Sequence, residues 1–256
     1  MAIALYDEVN GVARKVTKKY DGVAGVARSV KKCYDGVAGV ARQYFSSGKP
    51  AVEFNVGESV FLNIDGADCE FLVVHQGNPD STIYDASCDG TWLMLKDLIH
   101  STSFSSSNVY ANTSIHKTYL NITFYNMLDA EVQAAIKEVK IPYTNGNGST
   151  GTDAMGSDGL TTKVFLPSAH ELGSSDYLAR PATSVPLSYF SGGTNATRKA
   201  YKDGVASYYW TRSPERNSTN RAFAVSSTGG LPSQSSSISA SLRPMFIVDP
   251  SFLIRT

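Results

Sequence analysis

Four histidines, three cysteines and scattered carboxylates carry whatever acid–base, nucleophilic or metal chemistry this 256-residue chain can perform. His75, His100, His116 and His170 stand far apart and form neither an HExxH pair nor another paired-ligand spacing. Zinc therefore has no donor set in the pattern, and each histidine reads as a satisfied structural residue. His170-Glu171 puts an acid beside a base, but neighbouring side chains diverge on most backbones. Cys33, Cys69 and Cys88 show no CxxC spacing, and an odd count argues against a complete disulfide framework. Buried free thiols are the plainer reading. No phosphate loop or dinucleotide fingerprint occurs. The pattern points to no enzyme, no cofactor and no metal.

What remains is recognition. Ten of the 31 residues from Thr211 to Ser241 are serine, and Asn, Arg and Thr supply much of the rest. Such side chains add hydrogen-bonding capacity without requiring a place in the core. The run lies between Trp210 and "LRPMFIV", where Trp210, Phe246 and Ile247 are the expected scaffold. The candidate ligand-facing positions are Arg216, Asn217, Thr219, Asn220, Arg221, Phe223, Ser226, Ser227, Ser233, Gln234 and Ser235. Phe223 is the exception in type, and "AFAV" can equally place it inside. The alternative is a floppy Ser/Gly loop. Arg212 and Arg243 flank the run: either could hold an anion, but a buried arginine tying loops through backbone carbonyls is the stronger reading.

The elements that must position this run begin at Ala51. "ESVFLNIDGADCEFLVVHQG" predicts two strands around an Asp65-Gly66 hairpin turn. "TWLMLKDLI" is another buried strand. Ser114 can cap a helix with Ile115, Tyr119, Ile122 and Tyr125 on one face, and Asp129 a second with Val132, Ile136 and Val139. "KVFLPSAHEL" returns to a strand, ended by Pro167 and followed by a short helix. "SYYWTRSP", "AFAVSS" and "LRPMFIVD" are short strands between long polar loops. Helices in one half and strands in the other predict a segregated α+β domain over residues 50–256.

Residues 1–49 are organised differently. "YDEVNGVARKVTKK", "YDGVAGVARSVKKC" and "YDGVAGVARQYFSS" start at Tyr6, Tyr20 and Tyr34, a period of 14. Two heptads would give a coiled-coil seam, with apolar residues alternating at spacings of three and four. Against it, Gly11, Gly22, Gly25, Gly36 and Gly39 would each cost about 1 kcal/mol in a helix interior. The favoured alternative makes Asp-Gly a turn and Val-Ala-Arg-x-Val a strand. Either unit needs partners for its apolar face, so this segment is expected to drive self-association or attachment, joined by a Ser46–Pro50 linker. The chain is neutral, but residues 1–49 carry +5 and the remainder −5. Charges repeating with the 14-residue unit favour a solvated face over a nucleic-acid tail. No leader of signal type and no apolar run of membrane length are present, so a soluble protein is expected, with the five Asn-x-Ser/Thr sequons incidental.

Taken in order, "VGESVFLNIDGADCEFLVVHQGNP", "GTWLMLKD", "VKIPY", "YYWTRSP" and "SLRPMF" carry a resemblance over about residues 54–249. They resemble a domain of unknown function common in gut-bacterial phages, whose members end in Trp-x-Arg-Ser-Pro, a polar insert and Arg-Pro-hydrophobic-Phe. That ending is similar to C-type-lectin folds, in particular the variable proteins of diversity-generating retroelements and phage tropism proteins. The Gly-Val-Ala-Arg repeats resemble those preceding such domains in phage structural proteins. The resemblance implies an α+β, C-type-lectin-like domain on a phage particle, displaying a variable surface to a host protein or glycan. It also implies repeats that contact other virion proteins and form a homo-oligomer, a trimer by analogy with phage fibres. "QGNPD", Gln76–Asp80, has the wrong order for the sugar-binding Gln-Pro-Asp of calcium-dependent lectins, and too few oxygens converge for calcium. A purely structural decoration or adaptor protein is the rival reading.

Overall fold

The computed structural model describes residues 48–182 and 184–255, together with six strands of the N-terminal segment. The chain divides into two compact units, Met1–Gly48 with Arg255–Thr256, and Lys49–Ile254.

In the N-terminal unit each 14-residue period is one antiparallel hairpin. Tyr6–Val9 pairs with Val12–Lys15, Tyr20–Val23 with Val26–Ser29, and Lys32–Val37 with Val40–Ser46. This decides for strands over a coiled coil and corrects the expected turn. Asp21-Gly22 and Asp35-Gly36 lie inside strands, because the ladders run from Tyr20↔Ser29 to Val23↔Val26 and through Tyr34 to Val37↔Val40. The register sets Asp7 opposite Arg14, Asp21 opposite Arg28 and Asp35 opposite Arg42. Opposite-charge residue types facing across a ladder favour one register over a slip.

The larger unit is built on two five-stranded sheets. The first runs Val164–Phe165, Met245–Val248, Thr91–Leu95, Ala67–Gln76, Ser59–Ile64, antiparallel throughout. Its central strands read as unbroken apolar runs because both faces are covered. Phe71, Val73, Leu93, Phe246 and Val248 enter one core cluster. The alternate residues Leu72, Val74, Trp92, Met94, Met245 and Ile247 enter the other. The Asp65-Gly66 turn forms as expected, with both residues at positive φ (49° and 84°). The second sheet runs Ile99–Ser103, Ser239–Leu242, Tyr209–Pro214, Arg221–Val225, Ser233–Ser235. Its pairs are antiparallel except Tyr209–Pro214 with Ser239–Leu242.

The expected α+β, C-type-lectin-like class is overturned. Strands dominate the described residues, in two five-stranded and several two-stranded sheets, and helix is confined to short segments. The first predicted helix is the instructive case. Ile115–Phe124 is wound as a π-helix, and its buried residues are Ile115, His116, Leu120 and Phe124. With more than four residues per turn the inward stripe recurs at four and five, so Ile122, inward on an α-helical count, is 56% exposed. Asn121 braces this winding, donating from Nδ2 to the carbonyls of His116 (2.8 Å) and Val164 (3.0 Å). The second helix, Ala130–Ala135, is six residues long, and neither Ser114 nor Asp129 caps through its side chain. Val132, Ile136 and Val139 are buried as expected, with Val139 already in the strand Val139–Ile141. Turns replace the helix expected after Pro167. Among the described residues no helix is long and apolar enough to cross a membrane.

Candidate functional site

The polar run is not a floppy loop. Its first half turns at Glu215–Asn220 between the strands Tyr209–Pro214 and Arg221–Val225, and its second half returns as Ser233–Ser235. Arg221, Ala222 and Phe223 pair with Ser235, Gln234 and Ser233. Alternation along Arg221–Val225 would leave one face open, but the strand is covered from Ala222 onward and only Arg221 is exposed. Phe223, at 1% exposure, packs with Ala169 and Ala179, so it belongs to the core and not to a ligand-facing set.

The exposed part centres on Arg221. Its Nε donates to Glu215 Oε2 (2.8 Å) and Ser233 Oγ (3.0 Å), and Nη2 donates to the Ser233 carbonyl (2.6 Å). The Ser233 hydroxyl donates to the same Glu215 oxygen. Beside it Arg216 donates from Nε to the Tyr177 carbonyl (3.0 Å), and Tyr177 is 70% exposed. Asn217, Thr219 and Asn220 are exposed at the turn, and Ser235 is half-buried with its hydroxyl against Ser237. The structure thus brings together Arg216, Asn217, Thr219, Asn220, Arg221, Ser233 and Ser235. Gln234 is half-buried on the same strand. Ser226 and Ser227 lie at the other end of Arg221–Val225, roughly 13 Å along the strand. Ser226 is buried and closes a separate turn, its N–H on the Gly230 carbonyl at 2.8 Å.

Residues that the sequence pattern did not single out hold the turn in place. Asn108, fully buried, donates from Nδ2 to the carbonyls of Ser218 (2.8 Å) and Arg221 (2.9 Å), and its Oδ1 accepts from Gly148 N (3.2 Å). Gly148 has to be glycine, because a Cβ there would stand 1.8 Å from the Glu215 carbonyl oxygen. Arg180 clamps the same loop through the carbonyls of Gly148 (3.0 Å) and Gly151 (2.6 Å) and pairs with Asp153 at 2.9 Å. Asn108 lies over a hundred residues from Ser218 and Arg221, and nothing local in "SSSNVY" marks it.

Beneath the turn the scaffold is rigid. Trp210 donates from Nε1 to the Thr102 carbonyl (3.0 Å) and meets Phe104 edge-on. Arg212 grips both Glu171 oxygens at 2.5 Å, with neither side chain exposed, and donates to the carbonyls of Leu166 (2.8 Å) and Pro142 (3.1 Å). Tyr84 donates to the same carboxylate at 2.9 Å. Burial pushes the Tyr84 phenol well above its ordinary value, with the Glu171 charge adding to it. For Arg212 burial opposes the charged form, but the Glu171 carboxylate outweighs it and the net shift is upward. Arg243 donates to the Leu95 carbonyl (2.9 Å) and the Tyr209 hydroxyl (3.3 Å). Both arginines tie loops together through carbonyls, as the structural reading expected.

Several other chemistry-bearing residues are engaged within the fold. His170 and Glu171 diverge: the His170 ring faces the carbonyls of Ser174 (2.8 Å) and Ala179 (3.0 Å), away from the Glu171–Arg212 pair. His75 Nδ1 accepts from the Ser188 N–H at 3.2 Å. His116 departs from the expectation of a satisfied histidine, because its buried Nδ1 has no partner among the described residues while Nε2 meets Thr162 Oγ1 at 3.2 Å. Burial pushes the Cys88 thiol up to about 12. In "QGNPD", Gln76 holds the carbonyls of Ala51 and Phe54, Asn78 those of Tyr84 and Asp85, and Asp80 caps Thr82. Among the described residues no three His, Cys, Asp or Glu side chains converge as metal donors would.

Compared with known proteins, residues 89–250 match the family described as Domain of unknown function (DUF6273). No curated protein and no solved structure matches the chain.

Proposed function

We propose, for a chain that belongs to the DUF6273 family of domains of unknown function, that residues 49–254 are a binding module and not an enzyme. Its recognition face is the turn Arg216–Arg221 with Ser233–Ser235. One observation carries this reading: adaptable polar side chains stand exposed on a turn whose Ser218 and Arg221 carbonyls are held by the buried Asn108, which also holds the Gly148 loop that Arg180 clamps. A pre-ordered turn loses little entropy on binding, and its outward side chains can vary without disturbing the core. The resemblance of the repeats and of the closing motifs to phage proteins gives the setting: a virion component, attached and self-associated through the hairpins, whose face meets a protein or glycan on a bacterial surface.

The test is binding of the full chain to gut-bacterial cells and to an array of bacterial surface glycans, before and after Asn217, Asn220 and Arg221 are replaced together by alanine. Loss of binding with the fold intact supports the reading. Binding that survives the triple change, or none by the parent chain, overturns it and leaves the structural decoration role.

A further inference from the structure

At the opposite edge of the same sheet a cavity of about 190 Å³ opens between the strand Ile99–Ser103 and the π-helix Ile115–Phe124. His100, Thr102, Ser114, Ile115, Thr118, Tyr119 and Thr123 line it. Two backbone irregularities converge there. The pairing of Ile99–Ser103 with Ser239–Leu242 skips at His100, a bulge whose φ of 30° is left-handed. That bulge turns the imidazole onto Tyr119, the rings stacked 4.3 Å apart and 15° from parallel. Opposite it, the π-winding puts Ser114, Thr118, Tyr119 and Thr123 along one side. Bulges that re-aim a side chain and π-helical turns both concentrate at functional sites, and a left-handed non-glycine residue is held at a cost.

The walls are fixed. The Thr102 carbonyl accepts from Trp210 Nε1, Leu120 and Phe124 are buried in the core, and Asn121 ties the helix to Val164. The lining groups are not engaged: within the chain, the hydroxyls of Thr102, Ser114, Thr118, Thr123 and Tyr119 and the His100 ring nitrogens make no hydrogen bond among the described residues. Burial, with the Asp65 charge adding to it, raises the Tyr119 phenol above its ordinary value, so it stays a donor. Among the described residues no Lys, Arg, Asp or Glu lines the cavity, which disfavours an anionic or cationic ligand. Its volume is below the roughly 300–1,000 Å³ of pockets that bury drug-sized molecules. A protein cavity of about 150 Å³ holds benzene, so this one has room for one ring.

We infer that this cavity is a subsite for a single neutral sugar ring, its hydroxyls met by the Thr/Ser/Tyr crown and its apolar face by the stacked His100–Tyr119 pair. The inference rests on the reading of the chain as a binding module and adds a second contact point with a stated ligand class.

The test is saturation-transfer NMR on the full chain with the methyl glycosides of glucose, galactose, mannose and N-acetylglucosamine, where weak, about millimolar binding is expected for so small a ligand on an open site. At least one glycoside should receive transfer from the parent chain, and Thr118→Val with Thr123→Val should cut it at least fivefold. Both threonines are exposed and the replacement keeps their shape. His100→Asn, which keeps a residue tolerant of the left-handed backbone but removes the ring, should do the same. No transfer to any of the four, or transfer unchanged in both variants, overturns the inference. Transfer lost instead on replacing Asn217, Asn220 and Arg221 assigns the sugar to the polar turn, which ends the subsite but keeps the binding module. Cell binding by a chain that takes no glycoside points to a protein partner and has the same consequence.

Discussion

Arg212 and Arg221 sit nine residues apart on adjacent strands of one sheet, yet their roles are opposite. The Arg212 side chain is wholly buried against an equally buried Glu171, whereas that of Arg221 is 45% exposed against Glu215. Both make an arginine–carboxylate pair, so residue type does not separate them; the dielectric around the pair does. In the interior, the pair and its carbonyl partners form one interdependent network that lashes three loops together. At the surface, water competes for each bond, so the side chain can change at little cost. The region that must not vary and the region free to vary are thus immediate neighbours.

The largest effect should come from breaking the buried pair. Arg212→Ala leaves Glu171 uncompensated in the core and is expected to cost about 3–5 kcal/mol in urea unfolding. Arg212→Met combined with Glu171→Leu should recover most of that loss, since a buried pair replaced by apolar residues is often near neutral. If the double variant is as unstable as the single one, the pair contributes more than mutual neutralisation, and Arg212 and Arg221 differ by more than the dielectric around them.

Protonation separates the two regions next. Burial holds His116 and His75 below their ordinary value of 6.5. A depressed folded-state pKa means that the unfolded chain takes up a proton that the folded chain resists, so the stability is complete above about pH 6.5 and declines as the pH falls toward the folded values. Unfolding measured from pH 7.5 to 5.5 should show this decline, shallower in His116→Gln. A slope identical in the variant would remove His116 as a contributor. The exposed turn has no histidine, and replacing its residues should leave the slope alone.

The smallest effect is expected from Arg221→Ala, about 0.5 kcal/mol or less, with Asn217→Ala similarly small. A cost for Arg221→Ala near that for Arg212→Ala would erase the distinction between scaffold and recognition face. The Ser233 hydroxyl and carbonyl, both held by Arg221, are where such a cost would originate.

Consecutive residues were enough to place the Asp65-Gly66 turn, the apolar strands at Thr91–Leu95 and Met245–Val248, and the buried Trp210, Arg212 and Arg243 between polar segments. Each depends on a short-range rule: a turn that wants positive φ, a run too apolar for a surface, a planar cation suited to carbonyls. The repeats were also legible as strands, but not where they turn, because Asp-Gly suits a turn locally while the observed ladders carry Asp opposite Arg. Pairing between strands decided that. The π-helix escaped detection because its inward stripe differs from an α-helical one by less than a residue per turn, and the brace that favours it, Asn121 on Val164, spans 43 residues. The same holds at the polar turn: Asn108 is pinned to Ser218 and Arg221 across more than a hundred residues, and Ser226 is parted from Arg221 by the length of a strand. Side-chain type and near-neighbour spacing decide local conformation and burial, both written in consecutive residues. Which distant groups meet depends on closing long loops against chain entropy, and only the folded core sets that.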